Sequence, residues 1–194
     1  MKTTRLEAFS DGVIAIIITI MVLELKVPHG VEWNSLSPLI PNFLSYGMSF
    51  VYLGIYWNNH HHMMHLCDRI TGAILWANLH LLFWLSLIPF VTGWIGENPA
   101  SPNPAFSYGF VLFMAAVAYL ILQTVIIHQQ GKDSRLRKAV GNDVKGKLSA
   151  SLYLTALLLT FWSPWLSLGI YAFVALIWLV PDKRIEARYH DLTK

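Results

Sequence analysis

Six apolar segments, four of them long enough to span a membrane, are separated by short charged or turn-forming stretches and constrain this chain more than any other feature. Of its 194 residues, 55% are hydrophobic and only 13% are charged, whereas a soluble globular domain carries about 25% charged residues. A membrane-spanning helix needs roughly 20 apolar residues, with about 17 as a working minimum. The segments lie at about 6–25, 40–62, 71–95, 105–129, 147–162 and 166–181. We therefore predict an all-α, polytopic membrane protein whose residues 1–194 form a single domain of six transmembrane helices.

The last two segments are short, and a single kinked helix is the alternative to two separate ones. A helix over 147–181 would be about 52 Å long at 1.5 Å per residue. That length far exceeds a hydrocarbon core of roughly 30 Å. Two short helices joined by a turn at Ser163-Pro164-Trp165 fit better.

The basic residues predict the orientation of these helices. All but one of the 14 Lys and Arg residues fall on one side of the predicted bundle, and the exception is Lys26. Since cytoplasmic loops are enriched in Lys and Arg, both termini are predicted to be cytoplasmic, in a multi-pass protein of the inner (plasma) membrane. A five-helix arrangement would put the basic C-terminal residues outside. The basic loop 130–147 is predicted to contact anionic membrane lipid, and no nucleic-acid partner is expected.

A polar signature precedes the first apolar run. Its four fixed positions spell R-x-x-x-F-S-D and are Arg5, Phe9, Ser10 and Asp11. A carboxylate within a membrane-length helix is costly, so Asp11 is expected to face protein or water rather than lipid. Polar groups at this depth need hydrogen-bonding partners within the protein. The candidates near the predicted cytoplasmic ends of the second and third helices are Trp57, His60 or His61, and Asn78.

Helical periodicity gives the first segment two further faces. One face carries large apolar side chains, at Phe9, Ile16, Ile20 and Leu23. A second stripe carries small side chains, at Ala8, Gly12, Ala15 and Thr19. Small residues at such spacing let helices approach closely in lipid, so this helix is predicted to pack against protein. Periodicity alone leaves open whether the large apolar face lines a pore, joins a core or contacts lipid.

The R-x-x-x-F-S-D signature resembles that of the endolysosomal transmembrane potassium channel family and its bacterial homologues, which are built from six-helix subunits. A W-x-x-H-H pattern at 57–61, and Asn78 followed by Pro89-Phe90, also resemble the family. The likeness therefore covers about the first 90 residues. It implies a potassium-permeable cation channel that conducts passively, with no enzymatic activity and no cofactor other than the permeant K⁺.

The resemblance also assigns roles to the first helix. In the family this helix lines a central pore, and rings of large apolar side chains narrow it. The matching positions here are Ile16, Ile20 and Leu23, with Ile16 as the main constriction, while Thr19 lies near the ion path or belongs to the small stripe. The chain holds one signature, so several subunits must surround the axis, and the likeness to the bacterial homologues, which are homotetramers, implies four. The expected partners are other copies of the chain, K⁺ and other monovalent cations, and membrane lipid. A structural polar network that includes the motif residue Phe9 is expected to hold the pore helix in place without touching the ion; its members are Arg5, Phe9, Ser10, Asp11, Trp57, His60, His61 and Asn78.

Two other interpretations remain. A proton- or cation-coupled transporter would use Asp11 and the histidines as a relay. A metal or haem site would use His61 and His65, which are one helical turn apart, a spacing that can hold a metal. That spacing is common, and no cluster of thiolates or carboxylates accompanies it in the sequence, so no metal is predicted.

Overall fold

The computed structural model describes residues 3–99, 101–131, 133–141 and 143–179. The regular structure in these ranges is helical throughout, which confirms the all-α prediction. A short 3-10 helix at Trp33–Leu39 precedes the second α-helix. The α-helices are α1 Thr3–Leu23, α2 Ile40–His65, α3 Gly72–Ser86, α4 Ile88–Glu97, α5 Pro102–Gln130, α6 Arg135–Val140, α7 Val144–Leu159 and α8 Pro164–Leu179.

Three helical stretches in the described part of the chain are long and apolar enough to cross a membrane. They are Thr3–Leu23, Gly72–Glu97 and Pro102–Gln130. The apolar helix α8, Pro164–Leu179, is shorter than these. The chain therefore contains several helices suited to a bilayer.

The third predicted segment is two helices rather than one. Helix α3 ends at Ser86, α4 begins at Ile88, and Leu87 lies between them in a turn. Pro89 accounts for this interruption, because proline has no backbone N–H and its ring clashes with the carbonyl four residues earlier. The pattern of apolar residues continues across the break, which is why it predicts a single segment.

The last two segments form an antiparallel hairpin of α7 and α8. The Ser167 hydroxyl donates to the Ala156 carbonyl at 2.8 Å, and the Trp178 indole donates to the Ser149 hydroxyl at 2.8 Å. The first contact lies near the turn between the helices and the second lies farther from it on both helices, so α7 and α8 run in opposite directions. Helix α7 begins at Val144, a turn earlier than predicted, because Asp143 caps it by accepting from the Gly146 amide at 3.2 Å.

A close approach between α5 and α8 depends on one glycine. A Cβ atom at Gly109 would lie only 1.8 Å from the Tyr171 hydroxyl oxygen. Any larger residue would displace Tyr171, which is fully buried and accepts through its backbone carbonyl a hydrogen bond from Tyr52 at 2.5 Å. Tyrosines therefore fill much of the space between α2, α5 and α8.

Two ion pairs join linkers that are distant in sequence. Lys26, after α1, lies 2.6 Å from Glu97 at the end of α4. At a different set of linkers, Arg135 at the start of α6 pairs with Asp68 between α2 and α3. Both pairs are half-exposed or more, so they report which linkers meet rather than contributing much stability.

Candidate functional site

Helix α1 has one face that packs within its own subunit. That face consists of Leu6, Ser10, Ile14, Ile17 and Met21, which are all buried. Their spacing of three or four residues places them on one side of the helix. They pack against α2, α3 and α4, so this side of α1 belongs to the core.

A second side of α1, here called the outward face, points away from the subunit. It consists of the large apolar residues Phe9, Ile16, Ile20 and Leu23, which are all exposed. Ile16 is 59% exposed and Leu23 is 80% exposed. Large apolar side chains grouped on one surface indicate contact with lipid, with another protein or with a pore.

The small-residue stripe of α1, consisting of Ala8, Gly12, Ala15 and Thr19, is exposed as well. A Cβ atom added at Gly12 would meet no atom within 4 Å. The Thr19 hydroxyl donates to the Ile16 carbonyl at 2.8 Å, which leaves the lone pairs of its oxygen available. The described part of the chain therefore does not use this stripe for its own packing.

A fully buried group of three polar side chains, here called the polar anchor, holds the N-terminal half of α1. Ser10 of α1 accepts from the Asn78 amide of α3 at 3.0 Å and donates to the Leu6 carbonyl at 2.9 Å. The Asn78 carbonyl oxygen lies 2.7 Å from Nε2 of His60 on α2. Because that oxygen only accepts, His60 must carry its proton on Nε2 in this arrangement. One network thereby joins α1, α2 and α3.

A second group, here called the α1–α2 seam, lies beside the polar anchor and is partly open to solvent. Trp57 donates its indole N–H to the Asp11 carboxylate at 3.0 Å. One turn earlier on α1, Glu7 Oε1 lies 2.6 Å from His61 Nδ1 and 3.6 Å from His65 Nε2. The acids are four residues apart on α1 and their partners are four apart on α2, so the two antiparallel helices match turn for turn.

The structure brings together most of the predicted polar residues. Ser10, Asn78 and His60 form the polar anchor, and Asp11 pairs with Trp57 in the seam. His61 contacts Glu7 instead of Ser10 or Asp11. Glu7 is not among the predicted site residues, although its position one turn before Asp11 places it on nearly the same side of the helix.

Two residues of the predicted structural network, Phe9 and Arg5, lie apart from these groups. Phe9 is on the outward face and is more than half exposed. Arg5 is exposed and makes no hydrogen bond or ion pair with the described residues. Their positions in the R-x-x-x-F-S-D motif point them away from α2 and α3, so an intrachain network does not account for them.

An open cavity of about 770 Å³ adjoins the C-terminal half of α1. Ile16 and Ile20 line it together with Phe90 and Trp94 of α4. Glu24, just after α1, is also part of its wall. The outward face therefore continues into a recess whose wall also contains the Lys26–Glu97 ion pair.

Comparisons with known proteins agree with this arrangement. The family model described as "Endosomal/lysosomal potassium channel TMEM175" matches residues 5–89, which include all but the first two residues of α1, the polar anchor and the seam. A protein named "potassium channel" from Chryseobacterium sp. (strain P1-3) is 55% identical, over 96% of this chain and 97% of its own length. A protein from Gallus gallus named "Endosomal/lysosomal proton channel TMEM175" is 29% identical over 67% of this chain, but this chain matches only 29% of its length.

A solved structure extends the likeness to the whole fold. The crystal structure of a lysosomal potassium-selective channel TMEM175 homolog from Chamaesiphon minutus matches with a TM-score of 0.81 at 33% identity. The match covers 92% of this chain and 96% of that one. On this identity and coverage, the chain belongs to the TMEM175 potassium channel family.

Proposed function

We propose that four copies of this chain form a passive, potassium-permeable cation channel, with the outward faces of the four α1 helices surrounding a central pore. The observation that carries this proposal is the outward face itself, in a chain that belongs to a family of potassium channels. The chain is accordingly a membrane channel subunit rather than an enzyme. One subunit supplies one such face, so several subunits are needed to enclose a passage.

Six transmembrane helices and cytoplasmic termini form part of the proposal. The ion pairs support the order of the spans, because Lys26–Glu97 joins the first linker to the third, and Arg135–Asp68 joins the second to the fourth. When each segment between two linkers crosses the bundle once, the first and third linkers lie at one end of the bundle, and the second and fourth lie at the other end. The distribution of Lys and Arg supports the plasma membrane orientation.

Rings of Ile16, Ile20 and Leu23 form the constriction in this proposal. A narrow apolar ring excludes water and thereby blocks ions, and a slightly wider ring lets them pass. K⁺ gives up its hydration water more cheaply than Na⁺, so such a ring favours K⁺. Thr19 adds a hydroxyl oxygen one turn from Ile16, close to where a dehydrating ion needs an oxygen ligand.

The polar anchor and the α1–α2 seam position the pore helix in this proposal. The anchor fixes the N-terminal half of α1 to α2 and α3, because unpairing buried polar groups costs free energy. The angle of α1 about its axis is then set, and with it the direction of the outward face. No part of this role requires the polar side chains to contact the ion.

Flux measurements on purified protein in liposomes test the proposal. We expect K⁺ flux without an added energy source, and a changed K⁺/Na⁺ preference under bi-ionic conditions for Ile16→Asn. Ile16→Ala should also alter the preference or the conductance. The matched control is Ile121→Ala, since Ile121 is an exposed isoleucine on α5 and should leave both unchanged.

Coupled transport is the rival that the same liposomes distinguish. A transporter using Asp11 and the histidines would need a proton gradient and would saturate with substrate. Flux that requires such a gradient, together with insensitivity to Ile16 substitutions, would contradict the channel. The relative from Gallus gallus is named a proton channel, so proton flux should be recorded beside K⁺ flux.

A further inference from the structure

Three side chains in the α1–α2 seam have the chemistry of metal ligands. They are Glu7 of α1 and His61 and His65 of α2, and their ligand atoms all lie within 4.8 Å of one another. The carboxylate comes from a different helix, 54 residues away in sequence from His61. The three groups therefore converge through folding, in addition to the one-turn spacing of the two histidines.

We propose that Glu7, His61 and His65 bind one divalent transition-metal ion per chain, of which Zn²⁺ fits best. Two imidazoles and one carboxylate, with a position left open for water, form a ligand set that proteins use for zinc. Imidazole ligands disfavour Mg²⁺ and Ca²⁺, which take oxygen ligands. The binding of the ion does not depend on the proposed channel activity.

The distances are close to those that a tetrahedral ion requires. With ligand bonds of about 2.0–2.1 Å, neighbouring ligand atoms lie about 3.3 Å apart. Glu7 Oε1 and His65 Nε2 are already 3.6 Å apart. Glu7 Oε1 and His61 Nδ1 are 2.6 Å apart, so a side-chain movement of less than an ångström would admit the ion.

The exposure of the three side chains suits a site that an ion can enter. The Glu7 side chain is only 14% exposed, whereas those of His61 and His65 are 37% and 41% exposed. The carboxylate thus lies at the base and the imidazoles at the opening. Both histidines project from one helix, with ring centroids 4.4 Å apart, so two of the three ligands are held near each other before the ion arrives.

Binding should join the N-terminal end of α1 to the C-terminal end of α2. Because the ligands come from two helices, the ion should bind the folded protein better than the unfolded chain and raise the midpoint of thermal unfolding. The same seam contains the Asp11–Trp57 hydrogen bond one turn away. A bound metal would therefore add a second fixed point between the pore helix and its neighbour.

Calorimetric titration of the detergent-purified oligomer with ZnCl₂, after treatment with a chelator, tests the site. We expect one Zn²⁺ per chain and a higher unfolding midpoint. For His65→Ala and Glu7→Gln, affinity should fall by more than the roughly 10–100-fold that loss of an outer-sphere partner costs. His29→Ala, an exposed histidine beyond the other end of α1, is the matched control and should bind as the wild type does.

The absence of zinc binding to the wild type would overturn the proposal. So would binding that survives His65→Ala, because that ion would be held elsewhere. Should Glu7→Gln fail to assemble, the exposed position of His65 keeps His65→Ala decisive. Competition by millimolar Mg²⁺ would also contradict the inferred ligand preference.

Discussion

The two halves of α1 are held by different forces. The N-terminal half, up to Gly12, is tied to α2 and α3 by hydrogen bonds in which Ser10 and Asp11 accept from Asn78 and Trp57, and by the contact of Glu7 with His61. The C-terminal half, from Val13, contacts its own subunit through apolar side chains such as Ile14, Ile17 and Met21. Hydrogen bonds are directional, whereas apolar packing is not. The N-terminal half therefore sets the orientation of the helix, and the C-terminal half carries most of the outward face.

The largest expected effect is a difference in stability between substitutions on the buried side and on the outward face of the C-terminal half of α1. Ile14 is 2% exposed, and truncating a buried isoleucine to alanine costs about 2–5 kcal/mol. Ile14→Ala should therefore lower the unfolding midpoint of the purified protein strongly while leaving K⁺/Na⁺ preference unchanged. Ile16→Ala, two residues away on the outward face, should change the preference or the conductance and shift stability by no more than about 0.5 kcal/mol. Equal effects of both substitutions on stability would contradict the assignment of Ile14 to the core and of Ile16 to the outward face.

The next effect concerns the polar anchor. Asn78→Leu removes, at a fully buried position, the one side chain that donates to Ser10 and pairs with His60, while Ser10 keeps its bond to the Leu6 carbonyl. Each buried polar group left unpaired costs about 1–3 kcal/mol, so thermal unfolding should shift markedly. Asn98→Leu is the matched control, because the Asn98 side chain is exposed and donates only to the Trp94 carbonyl within its own turn. A neutral outcome for Asn78→Leu would show that packing alone orients α1.

A smaller effect is expected in the seam. Trp57→Phe keeps the apolar ring but removes the N–H that Asp11 accepts. In a double-mutant cycle with Asp11→Asn, we expect a coupling free energy of about 1 kcal/mol, within the range found for residues in contact. The measurement is the unfolding midpoint of the two single variants and the double variant. Strict additivity would indicate that the hydrogen bond contributes nothing.

The smallest effect is expected at the end of α1. The Glu97 carboxylate accepts a hydrogen bond from Lys26 and attracts its charge, and both effects raise the pKa of the Lys26 ammonium. A raised pKa means that the interaction is present at neutral pH and is lost only as the pH rises through that value. Because exposed ion pairs contribute little, Lys26→Ala should leave the unfolding midpoint and the K⁺/Na⁺ preference unchanged at pH 7. A clear loss of stability would mean that this linker is more constrained than its exposure indicates.

Much of the fold follows from the sequence because long apolar runs must form helices in a bilayer. The hairpin of α7 and α8 was predictable because Pro164 cannot continue α7 and the combined length is too great for one span. The break at Leu87 was harder to locate, since the apolar pattern runs through Pro89 without change. Helix α6 was missed because it has only six residues, three of them basic, within a segment that was predicted to be a loop.

The candidate site was predicted less completely. Polar groups in apolar helices need hydrogen-bonding partners, which is why Asp11, Trp57, Ser10 and Asn78 were predicted. In the structure Trp57 donates to Asp11, and Asn78 donates to Ser10. Sequence spacing does not show which acid faces which histidine, so Glu7 was missed and His61 was given another partner. Arg5 and Phe9 share a motif with Ser10 and Asp11, yet helical geometry turns them to another side, which a linear motif does not reveal.

The central claim is that the outward face of α1 borders the path of the ions. The most direct measurement is K⁺ flux through Ile16→Cys before and after addition of Ag⁺, a monovalent cation that reacts with thiolates. The account predicts that Ag⁺ abolishes flux through Ile16→Cys, and that wild type and Ile121→Cys continue to conduct. Undiminished flux through fully modified Ile16→Cys would contradict it.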